Sequence, residues 1–515
     1  MLRKPVFLFL LVACALPAAA QQNCADLAKL TLPGVTIGQA IPVGAGSFTP
    51  PGGRGANVPG FCRVVGRVTP EVNFEVWMPE QWNGKFVAVG NGGLAGTVNF
   101  TAMLDPLRRG YATASTDTGH VADNDGHWAQ GHMQRVIDFA HRGVHVTTVA
   151  SKAIIRARYG RLAAHSYFSG CSQGGQEALT EAQRYPEDYD GIIAGDPANN
   201  WTRLYEGGHL WIAQATMSDP ASYIPAAKVA ILGNAVNQAC DALDGIKDGV
   251  LNDPRRCRFD PAVLLCKGAD APDCFTPPQV EAVRKIYQGP RTSEGEQVFP
   301  GIMPGGEAGA GGWSRWITGT QLGAGAHMTL GFPFLKYVAF ENPDWDYRTF
   351  RFNRQEGFDS DVDFIDKKLG PIFNNMNPDL GAFQAHGGKL IQYHGWSDPD
   401  ISPLNSVNYY DSVVALMDRN GHGLTRTKDF YRLYMVPGMQ HCNGGPGTDN
   451  FDMLTALAQW VEQGAAPDKV VASHVTNGTP DRTRPLCAYP QEAQWNGSGS
   501  TDRAENFVCA LPKAP

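Results

Sequence analysis

The sequence predicts an α/β fold, a mostly parallel sheet covered by helices, and three observations carry that prediction. Short apolar runs of strand length alternate with stretches of helical spacing in both the first and the last thirds of the chain. One of those strands passes directly into a helix through a glycine-rich turn, Gly170-Cys171-Ser172-Gln173-Gly174. The alternation breaks off after Pro197 and resumes at Lys389, so a single sheet is interrupted by a long insertion.

In chain order, residues 86–89 read as a buried strand entering Gly90-Asn91-Gly92-Gly93, and 112–115 as a second strand ending at Asp117-Thr118-Gly119-His120. Residues 136–159 carry apolar side chains at helical spacing, including Val146, Val149, Ala150, Ala153 and Ile154. A strand at 166–169 precedes the glycine turn and an Ala/Leu/Glu-rich helix that runs to about Arg184, and 192–194 is the next strand. From Pro197 to Asn375 the texture turns irregular, with clustered Trp, Pro and Gly. Strands return at 389–394 and 430–436, each leading into a polar turn.

The 515 residues include 43% hydrophobic and 18% charged side chains, a globular balance that excludes a disordered chain. The 59 glycines and 36 prolines follow no three-residue period, which excludes a collagen-like repeat and points to many tight turns. A net charge of −7 without basic blocks leaves no electrostatic footprint for nucleic acid or an anionic membrane. Residues 1–20 read as a signal peptide: Arg3 and Lys4, an apolar run over 5–16, then Ala18-Ala19-Ala20. No run approaches the roughly 18 apolar residues that span a bilayer. The expectation is a secreted or periplasmic protein, with a lipid-anchored form as the alternative, because Leu11-Val12-Ala13-Cys14 also fits a lipobox.

Of eleven cysteines, ten lie beyond the export segment, an even number that suits disulfides in an oxidising compartment. Close spacing pairs Cys240 with Cys257, Cys266 with Cys274, and Cys487 with Cys509, and leaves Cys24, Cys62, Cys171 and Cys442. The glycine turn matches the nucleophile elbow G-x-S-x-G, with Ser172 as the candidate nucleophile. A serine hydroxyl needs a histidine to take its proton and a carboxylate to orient that histidine. The turns after strands 389–394 and 430–436 supply Asp398, with Asp400 as its rival, and His441. Cys171 precedes the candidate nucleophile and Cys442 follows the candidate base. If those two pair, one disulfide fastens Ser172 and His441 together. Gln173 and the Gly92-Gly93 turn occupy the places from which two backbone N–H groups would hold an oxyanion. Asp241, Asp244 and Asp248, interleaved with Gly245 and Gly249, form either a solvated turn or a loop for a hard cation, at a spacing unlike that of an EF-hand.

Taken together, Tyr167-Phe168-Ser169-Gly170-Cys171-Ser172, Asp398, the stretch Gly438-Met439-Gln440-His441-Cys442-Asn443-Gly444-Gly445-Pro446-Gly447, Cys240-Asp241-Ala242-Leu243-Asp244-Gly245 and Arg484-Pro485-Leu486-Cys487 resemble the tannase/feruloyl esterase family, which includes mono(2-hydroxyethyl) terephthalate hydrolases. The resemblance implies an α/β-hydrolase core over 21–197 and 376–515 with a lid domain, carrying a calcium loop, inserted at 198–375. It implies Ser172 as nucleophile, His441 as base, Asp398 as its orienter and Gly93 as the first oxyanion donor, with Cys171 bridged to Cys442, Cys24 to Cys62, and the three local pairs as above. It further implies a structural Ca²⁺ held by Asp241, Asp244, Asp248 and the carbonyls of Ile246 and Val250, and no organic cofactor. Trp316 and His394 match pocket-lining positions, and Ile401 stands where terephthalate-monoester hydrolases place an aromatic residue. The stretch 322–330 lacks the arginine those enzymes use, although Arg315 is nearby. The expected activity is that of a secreted serine esterase acting on small aromatic carboxylic esters, feruloyl (hydroxycinnamoyl) or galloyl. The alternatives are a terephthalate-monoester hydrolase, a serine peptidase, and a non-catalytic calcium-stabilised carbohydrate- or surface-binding protein.

Overall fold

The structure, a computed structural model, describes residues 21–94, 96–121 and 125–512. The export segment, with Cys14, lies outside the described residues. Nine strands form one sheet: β1 (Val35–Val43), β2 (Phe61–Val68), β3 (Val72–Pro79), β4 (Lys85–Val89), β5 (Ala112–Thr116), β6 (His165–Cys171), β7 (Gly191–Gly195), β8 (Lys389–Gly395) and β9 (Tyr431–Val436). They lie in the order β1-β2-β3-β5-β4-β6-β7-β8-β9. The first three pair antiparallel with their neighbours, and every pair from β5 to β9 is parallel. The fold is that of an α/β hydrolase.

Parallel strands buried on both faces have no polar side to show, which is why 86–89 and 192–194 read as unbroken apolar runs. All five residues of β7 are buried. One apolar layer, with Phe86, Phe168, Ile192 and Leu390, covers one face of the sheet, and another, with Val87, Tyr167, Ile193 and Ile391, covers the other. Strands β2 and β3 escape sequence pattern because they carry a cross-strand ion pair, Arg63 with Glu75, inside the apolar run.

No strand of the sheet lies between Gly195 and Lys389. The stretch that reads as irregular is instead largely helical, with helices at Ala226–Cys240, Pro277–Gln288 and Asp361–Phe373. Local chemistry starts two of them. The Gln279 side chain accepts the Thr276 N–H at 3.0 Å ahead of Pro277, and Ser360 with Asp363 forms a reciprocal cap for Asp361–Phe373. The insertion packs one apolar cluster of its own, around Val229, Leu232, Val283 and Trp313, and shares a second, around Trp201, Phe334 and Phe373, with Leu94, Trp128, Phe139 and Ile401 of the core. Five disulfides are present among the described residues: Cys24–Cys62, Cys171–Cys442, Cys240–Cys257, Cys266–Cys274 and Cys487–Cys509. No described helix is long and apolar enough to cross a membrane.

Candidate active site

The carboxyl ends of the parallel strands carry the site, as open α/β sheets place it. Strand β6 ends at Cys171, and the helix Gln173–Arg184 begins two residues later. Ser172 between them has φ +67° and ψ −122°, a left-handed backbone that costs a non-glycine residue of order 1–3 kcal/mol and persists only where its surroundings enforce it. The glycines enforce it here. A Cβ on Gly170 would lie 2.3 Å from the carbonyl oxygen of Gly174, and one on Gly174 would lie 2.9 Å from that of Asn91. The N–H of Gly174 donates to Asn91 O at 2.9 Å, which docks the β4 loop against the elbow.

The structure brings Ser172, His441 and Asp398 together. Ser172 Oγ lies 2.8 Å from His441 Nε2, and His441 Nδ1 lies 2.8 Å from Asp398 Oδ2. A carboxylate only accepts, so Nδ1 carries the ring proton and Nε2 accepts from the serine hydroxyl. The other oxygen of Asp398 accepts the backbone N–H groups of Asp400 at 2.8 Å and Ile401 at 3.0 Å, which fixes its orientation. Burial works against a charge on Asp398, but the attraction of His441 and hydrogen bonds from His394 and His441 hold its carboxyl down at about 2. Burial likewise disfavours the His441 cation. Asp398 and Asp400 outweigh it and raise the imidazole above its usual range. The acid in hydrogen-bond contact with Nδ1 is thus Asp398. Asp400 stands on the opposite edge of the ring, with Oδ2 3.5 Å from Nε2.

The Cys171–Cys442 disulfide, with Cα atoms 6.0 Å apart, closes 271 residues of sequence beside these two side chains. Gln173 is the first residue of its helix, so its N–H lies outside the intrahelical ladder and at the positive end of the helix dipole. Gly93 follows two residues after the Asn91 that docks on the elbow, at φ +62°.

A cavity of about 500 Å³ opens beside the imidazole, lined by His441, Trp316, Arg315, Glu307, Gln440 and Asn443 among others. That volume suits a small ligand. The Trp316 ring meets His441 edge-on, with centroids 4.9 Å apart. His394 and Ile401 do not line this cavity. His394 is fully buried beneath the acid, with Nδ1 2.7 Å from Ser406 Oγ, and Nε2 3.0 Å from Ile401 O and 3.2 Å from Asp398 Oδ2. Ile401 is 1% exposed and packs with Trp201 and Phe334. Alternation along β8 turns the His394 side chain into the protein, which its place near the strand end does not disclose.

A hydroxyl, an imidazole and a carboxylate in one line of contacts can perform acyl transfer, and a profile of the family described as tannase and feruloyl esterase matches residues 56–510. The chain belongs to the tannase and feruloyl esterase family. As a member it is a carboxylic ester hydrolase, which sets aside the non-catalytic binding protein. An uncharacterised esterase of Xanthomonas campestris pv. campestris is 40% identical to it, over 96% of this chain and 92% of that protein. The mono(2-hydroxyethyl) terephthalate hydrolase of Piscinibacter sakaiensis is 35% identical, over 89% of this chain and 86% of that protein. The crystal structure of feruloyl esterase B from Aspergillus oryzae superposes with a TM-score of 0.84 at 29% identity, covering 94% of this chain and 98% of that one.

The acidic loop of this tannase/feruloyl esterase family member folds as a short helical turn over Asp241–Asp244, then reverses at Gly245 (φ +93°) and Gly249 (φ +77°). Asp244, Ile246, Asp248 and Val250 line one small cavity. Asp241 Oδ1 accepts the N–H groups of Asp248 at 3.2 Å and Gly249 at 3.1 Å. Burial, then the facing charges of Asp248 and Asp241, push the Asp244 carboxyl up to about 6. Arg484 Nη2 reaches Asp248 Oδ2 at 2.5 Å, Arg482 Nη1 lies 3.8 Å from the same oxygen, and both side chains line the cavity. The carboxylates of the loop are oxygen donors of the kind that a hard cation such as Ca²⁺ takes.

Sequence reasoning missed Glu177, which holds the elbow from below. It accepts Asn91 N–H at 2.9 Å and the Gln173 side-chain amide at 2.7 Å, and burial lifts its carboxyl to about 7. Its place one turn beyond Gln173 was the available signal.

Proposed function

We propose that the protein is an exported serine esterase that cleaves feruloyl (hydroxycinnamoyl) or galloyl esters through an acyl-enzyme. The observation that carries this reading is the continuous contact from Ser172 Oγ through His441 to Asp398, on an elbow strained by design of its glycines. Ser172 Oγ attacks the ester carbonyl as its proton passes to His441 Nε2, and Asp398 stabilises the imidazolium that results. The backbone N–H groups of Gln173 and Gly93 receive the developing oxyanion. Collapse breaks the carbonyl–alkoxy bond, and the imidazolium returns its proton to the leaving alcohol. Water then attacks the acyl-enzyme by the same route and releases the acid. The aromatic acyl group sits against Trp316 in the cavity beside His441, under a lid formed by 198–375.

A second reading is favoured by one observation: Arg315 lines the same cavity as Trp316 and His441. A guanidinium there suits an acyl group that carries its own carboxylate, as a terephthalate monoester does. Methyl ferulate, methyl gallate and mono(2-hydroxyethyl) terephthalate, compared by kcat/KM, decide between them. Ferulate or gallate esters are expected to lead. A tenfold or greater preference for the terephthalate monoester would overturn the substrate assignment, and turnover of none of the three would overturn the aromatic class.

Five disulfides and the residues that precede Gln21 support export to a secreted or periplasmic destination. We also propose that Asp241, Asp244 and Asp248, with the carbonyls of Ile246 and Val250, hold a structural Ca²⁺. The ion would neutralise three facing carboxylates and brace the insertion, with no part in bond making. Treatment with a chelator is expected to lower the melting temperature by several degrees, and added CaCl₂ to restore it, because an ion bound only by the folded state stabilises that state. An unchanged melting curve, with no metal detected in the untreated protein, would exclude the site.

A further inference from the structure

Two carboxylates face His441, one at each ring nitrogen. Asp398 occupies Nδ1, and Asp400 Oδ2 lies 3.5 Å from Nε2, the nitrogen that also contacts Ser172 Oγ. Asp400 is 3% exposed, and its second oxygen is held from the insertion. His209 Nε2 lies 2.9 Å from Asp400 Oδ1, and His327 Nε2 lies 3.3 Å from the same atom. The two imidazoles stack at 4.4 Å and each is 1% exposed.

A buried His-His-Asp group invites comparison with a metal site. Ligating imidazoles, however, have their second nitrogen held by a hydrogen bond. Nδ1 of His209 and both ring nitrogens of His327 have no hydrogen-bond partner among the described residues, so His209 holds Asp400 by a hydrogen bond and His327 only packs its Nε2 edge against it at 3.3 Å. Burial, then the charge of His209, hold the His327 imidazole down at about 4, so it is neutral at working pH. His327 therefore stands beside Asp400 without cancelling its charge.

We propose that Asp400 is a positioning residue for the reaction, a second carboxylate that holds the His441 imidazolium from its Nε2 edge and is itself aimed by His209 and His327. Part of the base's strength is thereby delivered by the insertion: if 198–375 shifts from the core, Asp400 loses its anchors. The inference rests on the serine-esterase reading. The other groups that bear on the pair are Asp196 after β7, which burial holds up at about 7, His394 beneath Asp398, and Tyr205 beside Asp400. Of these, Asp196 clusters with Asp398 and His441 within 4.8 Å and adds to the pull on the imidazole. Catalysis needs a neutral imidazole, so kcat/KM rises as pH rises through the His441 pKa. A carboxylate at Nε2 moves that rise to higher pH, and its removal moves it back.

The experiment is the pH profile of kcat/KM on methyl ferulate for the wild type, Asp400→Asn, His327→Gln and Ser172→Ala. The wild-type rise is expected to centre above the roughly 6.5 of a free imidazole. In Asp400→Asn it should fall by about 1–3 units, and in His327→Gln by less, in the same direction. A purely structural role would lower kcat evenly and leave the midpoint in place. A folded Asp400→Asn with an unmoved midpoint, or a wild-type rise centred at or below 6.5, overturns the proposal. Should Asp400→Asn fail to fold, His327→Gln is read in the same way. Turnover surviving in Ser172→Ala would instead overturn the serine reading beneath it.

Discussion

Ser172→Ala is expected to reduce kcat on the preferred ester by at least about 10⁴-fold, with the melting temperature unchanged or slightly raised. The size follows from the relay. Without Oγ there is no acyl-enzyme, and His441 with Asp398 is left to activate water that the site does not position. Retained stability follows from the backbone, because Ser172 sits at φ +67° whichever small side chain it carries, and its carbonyl and N–H keep their bonds to Gly175, Gln176 and Gly195. A fluorophosphonate probe supplies an independent readout: the wild type should be labelled at one site and the variant not at all. Hydrolysis within tenfold of wild type in purified variant would mean that another group attacks the ester.

That prediction depends on residues legible in the sequence, and the reason they were legible is local. An elbow compresses its requirements into five consecutive residues, because the strain at Ser172 and the close approach of Gly170 to Gly174 leave few side chains that fit. Strands β4 and β7 were legible for a related reason, since a strand buried on both faces shows as an apolar run. The edge strand β1 alternates exposed and half-buried residues and left no such run. The helix Ala226–Cys240 carries few charges on its outer face and so lacks the contrast that marks an amphipathic helix. Most hidden were the partners that only folding assembles. His209 and His327 lie in no motif, and Asp400 read as a rival to Asp398 because two residues on one turn differ in role only by which nitrogen of His441 each one faces.

Replacing Cys171 and Cys442 together by alanine is expected to lower kcat by about 100-fold or more while the melting temperature falls only a few degrees. For a loop of this length, chain entropy alone would assign the bridge roughly 5 kcal/mol. Four other disulfides already restrict the unfolded chain, and the strand and helix flanking Ser172 are held by the sheet, so the stability lost should be well below that figure. Position is the more sensitive quantity. His441 lies on a turn after β9 rather than on a regular element, and the residue that follows it, Cys442, sits at φ +64°, a conformation that a free alanine would tend to leave. A shift of about 1 Å at Nε2 can cost on the order of 100-fold in rate. The bridge opposes such a shift by tying Cys442 to Cys171, the residue before the nucleophile. Steady-state kinetics and a melting curve on the same preparation separate the two effects: full activity in the double variant would show that the turn holds His441 unaided, whereas parallel loss of activity and of several tens of degrees would show that the disulfide serves the fold first.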